Sequence, residues 1–152
     1  MKITVYSIEK TPQSEIKNMT EEFTKMILRF AKIEDISLFN SKIASAQSKG
    51  VLEAQKSYTQ SFEPYIKNYT LALDKDGEML DSIEFGKIFD NDADIRFFIG
   101  GAYGFEKQFL KRTQRVISLS SLTYAHKIAK LVLFEQIYRG LCIKNNHPYH
   151  KE

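Results

Sequence analysis

Cysteine and long apolar runs are scarce in this sequence. Its only cysteine, Cys142, cannot form an internal disulfide, and the first ten residues reach charged side chains too soon for the apolar region of a secretory signal. No stretch approaches the ~20 consecutive apolar residues that a membrane-spanning helix needs. We therefore expect a cytoplasmic protein without a membrane segment.

The spacings of common metal and nucleotide-phosphate sites are also missing. His126, His147 and His150 have no paired acid or cysteine at zinc-ligand spacing, so we expect no metal. The segment GGAYG at 100–104 matches neither the dinucleotide fingerprint G-x-G-x-x-G nor a P-loop, which needs Lys followed by Ser or Thr. Cys142 lies inside an apolar helical stretch, where a structural thiol is the better interpretation.

Length and charge distribution narrow the class of protein. A chain of 152 residues, 43% of them hydrophobic, can bury one core and is too short for two, so we expect a single domain over 1–152. From residue 106 onward, nine Lys or Arg stand against three acidic residues, a net charge of +6, whereas the first 105 residues carry −3. Clustered positive charge suits a polyanion such as RNA. A solvated basic face explains the charge equally well.

Strand-like and helical patterns alternate along the chain. Asp81 and Glu84 have the spacing of a capping box, and DKDG at 74–77 predicts a turn that ends the third strand. The alternation predicts an α/β domain with a mainly parallel sheet flanked by helices. The predicted strands are 2–8, 33–39, 69–74, 94–100 and 115–120; the predicted helices are 14–32, about 47–65, one from 81, one from 105, and 123–144.

The last predicted helix is apolar around most of its circumference. Apolar residues recur between Ile128 and Ile143 well beyond a single stripe, and one face of a sheet cannot cover them all. We expect a second copy of the same helix, in a two-fold dimer, to provide the cover. A helix wrapped by its own chain is the alternative.

Two loops follow predicted strands. FFIGGAYGF at 97–105 runs into three glycines, and SLSSLTYAH at 118–126 places hydroxyl side chains before the last helix. In open α/β sheets, ligands bind at the carboxyl ends of the strands. Ordinary turn and cap chemistry would explain both loops without a ligand.

The segments that carry a family resemblance are FFIGGAYGF, ISLSSLTYAH followed by LVLFEQIYRG, and the terminal NHPYHKE. These C-terminal segments together resemble the ribosomal large-subunit pseudouridine N3-methyltransferase family of the SPOUT superfamily. The similarity in order and spacing runs from about residue 95 to the last residue, and the total length agrees. It implies a homodimer with a C-terminal trefoil knot, a rare exception among protein chains, that binds S-adenosylmethionine. The implied substrate is a pseudouridine of 23S ribosomal RNA, within the large subunit or the 70S ribosome.

The resemblance also implies where the cofactor binds. Glycine would let the cofactor approach the main chain closely. Ala102 and Ala125 stand where the family usually has proline, which loosens each loop at a cost of about 1 kcal/mol through unfolded-state entropy. The implied cofactor-binding residues are Leu73, Gly101, Leu119, Ser120, Ser121, Leu122, Thr123 and Tyr124.

Catalytic and RNA-binding residues are implied near the C-terminus. Arg139, Tyr149 and His150 are the implied catalytic residues, and Arg139, His150 and Lys151 the implied RNA contacts. His150 could accept the N3 proton, because an unperturbed imidazole titrates near neutrality. Because the resemblance places this tail beside the partner subunit's cofactor, we predict that each active site is shared between subunits.

Simpler interpretations of these residues stay open. Arg139 could only pair with Glu135, four residues earlier, and the tail could be a frayed terminus. Three classes of function remain: an RNA methyltransferase, a non-catalytic RNA-binding ribosome assembly factor with the same fold, and a small-molecule nucleotide-binding α/β protein. The two loops favour the first over the second, and the basic tail favours both over the third.

Overall fold

A computed structural model describes residues 1–11, 13–90 and 93–151. Short 3-10 turns lie at Glu63–Tyr65 and Lys87–Phe89. The strands and α-helices in chain order are β1 (Lys2–Ile8), α1 (Glu15–Ile27), β2 (Lys32–Leu38), α2 (Ser41–Lys49), α3 (Val51–Phe62), β3 (Tyr69–Met79), α4 (Ser82–Gly86), β4 (Asp94–Ile99), α5 (Lys107–Arg112), β5 (Arg115–Ser118) and α6 (His126–Lys144).

The five strands form one sheet in the order β2-β1-β4-β3-β5, and each neighbouring pair is parallel. The predicted α/β class with a mainly parallel sheet is therefore confirmed. Because all strands run the same way, their carboxyl ends meet at one edge of the sheet. The trefoil knot and the single domain stay predictions.

Helices cover both faces of the sheet. Alternate side chains of β1 point to opposite faces: Ile3 and Val5 join a core under α1, α4 and α6, whereas Tyr6 and Ile8 join one under α2, α3 and α5. This double cover explains why β1 and β4 are buried almost throughout. No helix within the described ranges is long and apolar enough to span a bilayer.

Helix α6 is covered largely by its own chain. It packs between the sheet, α1 and α4. Leu141, among the residues assigned to a partner's cover from the sequence, is 2% exposed. What remains partly exposed is a strip that includes Ile128, Val132, Glu135 and Arg139. Because the protein's own chain covers most of the apolar side chains of α6, only the exposed strip supports a dimer.

Several predicted boundaries are wrong. Helix α1 ends at Ile27 rather than residue 32, because Lys32 already pairs with β1. The polar segment before residue 50 forms α2, capped by the Asn40 side chain, and Gly50 with φ 126° separates it from α3. The segments 105–106, 119–120 and 123–125 lie outside α5, β5 and α6, to which the sequence assigned them.

The third strand does not end at the predicted turn. β3 continues to Met79 with a bulge, so that both Leu73 and Glu78 pair with Ile117 of β5. A Cβ on Gly77 would lie 2.7 Å from the Ile117 carbonyl carbon, so this glycine permits close approach of the two strands. The predicted capping box of α4 is confirmed: Asp81 Oδ1 accepts from the Glu84 amide at 2.8 Å, and Glu84 Oε2 accepts from the Asp81 amide at 3.0 Å.

Candidate active site

A cleft of about 650 Å³ lies at the carboxyl ends of β3, β4 and β5. These three strands are neighbours in the sheet, so the segments that follow them converge. The walls come from 73–76, 99–105, 118–120 and 122–124, with His126 and Ala129 of α6. The volume falls within the roughly 300–1,000 Å³ of small-molecule sites.

The glycine loop after β4 forms part of this wall and is held by hydrogen bonds. Gly101 and Gly104 form an isolated bridge, with Gly104 at φ 73°, and the Tyr103 carbonyl accepts a hydrogen bond from Gln55 Nε2 at 2.9 Å. A Cβ on Gly101 would lie 2.5 Å from Cζ of the fully buried Tyr58. Packing within the chain therefore already requires glycine at this position, whether or not a ligand approaches it.

The loop after β5 is held by its own hydroxyl groups. Ser118 Oγ donates to the Ser120 carbonyl at 2.8 Å, and Ser120 Oγ accepts from the Leu122 amide at 3.0 Å. These bonds turn the loop toward the cleft. Of the predicted cofactor residues, the following line the cleft together: Leu73, Gly101, Leu119, Ser120, Leu122, Thr123 and Tyr124. Ser121 is exposed and is not part of the lining.

The cleft wall combines apolar side chains with both signs of charge. Asp74 and Asp76 line the cleft just after Leu73, a residue of β3 that pairs with β5. Asp74 Oδ2 accepts a hydrogen bond from the Asp76 amide at 3.0 Å. Lys75 and Lys107 supply positive charge. Such a wall suits a ligand with a flat apolar ring and charged groups of its own.

The predicted catalytic residues form a second cluster at the other end of α6. Arg139 Nη2 donates to Glu135 Oε1 at 2.5 Å, the Tyr149 hydroxyl donates to the same oxygen at 2.9 Å, and the guanidinium lies 4.7 Å from the Tyr149 ring centre. His150 Nδ1 lies 3.3 Å from Arg139 Nη1. The ion pair between Arg139 and Glu135 that the sequence offered as an alternative is therefore present. The interpretation of the tail as a frayed terminus is wrong as far as His150, whose ring contacts Arg139. Lys151 is exposed.

The surroundings hold two ionisable groups of this cluster, Arg139 and Tyr149, in their usual forms. Burial, reinforced by the bond to Glu135, raises the pKa of Tyr149. The bond to Glu135 raises the pKa of Arg139. Tyr149 is thus a neutral donor and Arg139 a cation at physiological pH, which suits them to bind and orient an anionic substrate.

Among the residues that the structure describes, the cleft and the tail cluster do not meet within one chain. His126 lines the cleft and Arg139 belongs to the tail cluster, thirteen residues later on the same helix. At 1.5 Å per residue, that separation is about 20 Å. The sequence-predicted residues therefore fall into two groups, each brought together by the fold.

Several residues that line the cleft were not among the predicted cofactor residues. Ser118, Asp74 and His126 all line the cleft, and each lies within a few residues of a predicted strand end. As a single residue, His126 was considered only as a metal ligand, although it ends the loop SLSSLTYAH, and a polar residue that opens a helix after a strand-end loop is a general signal of a ligand wall. Within 1–11, 13–90 and 93–151, no group of three His, Cys, Asp or Glu side chains is placed to hold a metal.

A family model described as a predicted SPOUT methyltransferase matches residues 1–150. The chain belongs to this family of methyltransferases, as its resemblance indicated. It is 50% identical over 151 residues to ribosomal RNA large subunit methyltransferase H of Campylobacter concisus, covering 99% of this chain and 100% of that protein. The protein of the same name from Aliarcobacter butzleri is 49% identical with the same coverage.

Solved structures with little sequence similarity share the fold. One from Bacillus anthracis superposes with a TM-score of 0.55 at 12% identity, covering 100% of this chain and 99% of that one. A methylase family structure from Haemophilus influenzae gives 0.58 at 12% identity, covering 99% of this chain and 70% of that one.

Proposed function

We propose that this chain uses S-adenosylmethionine to methylate N3 of a pseudouridine in 23S ribosomal RNA, on large subunits or 70S ribosomes in the cytoplasm. The names of the curated relatives support a large-subunit RNA substrate. The observation that carries the proposal is the convergence of Leu73, Gly101 and the loop after β5 in one cleft.

The lining of the cleft fits this cofactor. Leu73, Ile99 and Leu119 offer apolar surface to an adenine ring, and main-chain groups at the strand ends offer donors and acceptors to its edge. Asp74 and Asp76 offset the positive charges of the sulfonium and the ammonium group. When bound, the cofactor supplies a methyl group on an electron-deficient sulfur.

A second copy of the chain completes the proposed site. Ile128, on the exposed strip of α6, and Ile83 of α4 are exposed apolar residues. The bond from Ser82 Oγ to Gln136 Oε1, 2.8 Å, holds the start of α4 beside the middle of α6. The surface formed by the exposed strip of α6 and the start of α4 combines apolar and polar residues and runs between the cleft end and the tail end of α6. The same surface on a second copy of the chain can pack against it.

Two-fold packing along that strip would also unite the two groups of site residues. If two α6 helices cross near their midpoints in opposite directions, the tail end of each lies beside the cleft end of the other. Arg139, Tyr149 and His150 would then orient the nucleotide at the partner's cleft, and Lys151 would contact a phosphate. Glu135 fixes Arg139 and Tyr149 in advance, so little side-chain entropy is lost on binding.

Positioning is most of what the reaction requires. The transfer needs an in-line approach of N3 to the methyl group and the loss of the N3 proton. Holding both reactants in that geometry supplies much of the rate. The built cleft and the pre-formed tail cluster suit that task.

Methyl transfer tests the proposal directly. Tritium-labelled S-adenosylmethionine is incubated with the wild-type protein and with naked 23S RNA, large subunits or 70S ribosomes from a strain lacking it. We expect label in one ribosomal form, and mass spectrometry of the digested RNA should place it on N3 of a pseudouridine. Cofactor binding without transfer to any form would instead favour the assembly factor.

The cofactor assignment has its own test in the loop after β5. Thr123 and Ser121 are both exposed residues of this loop, but only Thr123 lines the cleft. Thr123→Trp should weaken calorimetric binding of S-adenosylmethionine at least tenfold, and Ser121→Trp should leave it within twofold. Equal effects of both substitutions would remove the cleft as the cofactor site.

The shared site is tested by deleting residues 147 to 152. Cofactor affinity should stay within twofold, because the cleft is untouched, while transfer to ribosomes falls by orders of magnitude. Lys151→Ala alone should weaken RNA binding. It should also reduce, by about one, the slope of the logarithm of the binding constant against the logarithm of the salt concentration. A truncated protein that transfers methyl at the wild-type rate would exclude the tail from the site.

The dimer is tested on the exposed strip rather than in the core. Ile128→Glu should give folded monomers by sedimentation, because it places a charge in the proposed contact. Leu28, an exposed residue just after α1, provides the matched control: Leu28→Glu should remain dimeric. A monomeric wild-type protein at micromolar concentration would refute the dimer.

A further inference from the structure

A buried charge cluster lies behind the cleft. Lys130 of α6 is 5% exposed, and its Nζ donates to Glu9 Oε1 at 2.5 Å and to Asp35 Oδ1 at 2.7 Å. Glu9 follows β1 and Asp35 lies in β2, so the cluster ties two neighbouring strands to the helix. Two carboxylates share this ammonium, so the three groups carry one excess negative charge, and Lys10, Lys17 and Lys127 line the same cavity as these groups.

That excess charge faces His126. The Glu9 side chain is 8% exposed, and its Oε2 has no hydrogen-bond partner. His126 Nε2 lies 3.7 Å from this oxygen, within ion-pair range but longer than a hydrogen bond. A buried carboxylate oxygen without a donor is costly, so a small approach of the ring that brings an Nε2 proton to Glu9 is favourable.

His126 connects the buried cluster to the cleft. It precedes Lys130 by four residues and therefore shares its helix face. Its side chain is 41% exposed and lines the cleft. With the Nε2 proton turned toward Glu9, the remaining ring nitrogen, Nδ1, carries the lone pair.

We propose that His126, oriented by Glu9, accepts the N3 proton of the pseudouridine during methyl transfer. This inference rests on the proposed function. The N3–carbon bond forms as the carbon–sulfur bond breaks, and the electron pair of that bond stays on sulfur, which becomes a neutral thioether. The N3 proton passes to His126 Nδ1, and the imidazolium that results is balanced by the excess charge of the Glu9 cluster.

The alternative acceptor, His150, has different surroundings. Its Nδ1 faces a nitrogen of Arg139, and a guanidinium can only donate hydrogen bonds. That nitrogen is therefore engaged as an acceptor from a permanent cation. This geometry suits orientation of a base by His150 and leaves proton acceptance to His126.

Charged and titratable groups surround the His126 ring on both sides. Glu9, in ion-pair range, and Lys130 lie behind it, with Asp35 beyond Lys130. The groups that share the cleft wall with it are Asp74, Lys75, Asp76, Tyr103, Lys107 and Tyr124.

Rates of transfer as a function of pH test the proton step. His126→Asn should lower kcat about 100-fold or more near neutral pH, the range expected for a lost general base, with KM values changed less than threefold. The deficit should shrink as pH rises, because an imide N–H ionises without help in alkaline solution. His150→Asn should lower the rate without changing the shape of the wild-type pH profile. A wild-type profile in His126→Asn, or a deficit independent of pH, would overturn the inference.

The orientation by Glu9 is tested on the cofactor-free protein by nitrogen NMR of the histidine rings. Neutral His126 should carry its proton on Nε2 in the wild type and lose that preference in Glu9→Met, in which Lys130 keeps Asp35 as a partner. The same tautomer ratio in both proteins would overturn the role of Glu9. If the wild type transfers no methyl group to any ribosomal form, the proposed function fails; if it transfers and His126→Asn behaves as wild type, only this inference fails.

Discussion

Gly140→Ala should destabilise this protein, although alanine is the better helix former. Gly140 lies in α6 where the helix crosses α4. An added Cβ would be 2.7 Å from Cε2 of Phe89 and 3.1 Å from the Cα of Gly86. Phe89 is fully buried, so its ring has no free space into which to move.

Two opposed contributions set the size of the effect. Replacing glycine with alanine in a helix interior gains about 1 kcal/mol. Overpacking a well-packed core costs about 1–3 kcal/mol, and contacts this short against a buried ring and a backbone atom belong in the upper part of that range. We expect a net loss of about 1–2 kcal/mol.

Urea unfolding at a fixed protein concentration measures this loss, because association would otherwise change the apparent stability. If the free energy of unfolding falls by about 2 kcal/mol per molar urea, the urea concentration at the unfolding midpoint should fall by about 0.5–1 M. Phe89→Leu in the Gly140→Ala background makes room for the methyl group, so the double-mutant cycle should show a coupling of at least about 1 kcal/mol. A rise in stability of Gly140→Ala by about 1 kcal/mol would refute the packing argument.

Three further outcomes follow from the same structure. Lys130→Met should cost about 3–5 kcal/mol in urea unfolding, since it leaves the Glu9 carboxylate buried without its ammonium, and adding Glu9→Gln should recover most of it. Asp81→Ala removes the cap of α4 and should cost about 1 kcal/mol by the same assay. Burial raises the pKa of Tyr6 and of Tyr58 above 10.0. The folded state therefore holds these protons more tightly, so the contribution of the two tyrosines to the unfolding free energy should be fully present well below pH 10 and be lost as the pH rises through their raised pKa values.

The sequence predicted well what depends on local pattern. The order of strands and helices apart from α2, the capping box at Asp81 and the position of two loops at strand ends all follow from residues close together in the chain. Parallel strands then bring such loops together, which is why Leu73, Gly101 and Thr123 meet in one cleft.

What the sequence did not predict depends on partners far away in the chain. The turn expected at DKDG is a bulge, because Gly77 lies against the backbone of β5. Gly101 is required by the ring of Tyr58, so Gly101→Val would displace that ring and is a poor test of cofactor binding. The Lys130 cluster joins residues separated by 95 and 121 positions, and no local pattern reports such a contact.

The length of α6 has a genetic consequence under the proposed arrangement. A chain with a damaged cleft still lends its partner a working tail, and a chain without a tail still offers a working cleft. Two alleles that are each inactive alone should therefore complement one another in the same cell. With random pairing of equal amounts, half of the dimers are mixed and each holds one intact site of two, so about a quarter of wild-type activity returns. An excess of tail-less chains should in turn cause no loss of activity, because each intact chain paired with a tail-less one still joins its tail to an intact cleft and keeps one functional site.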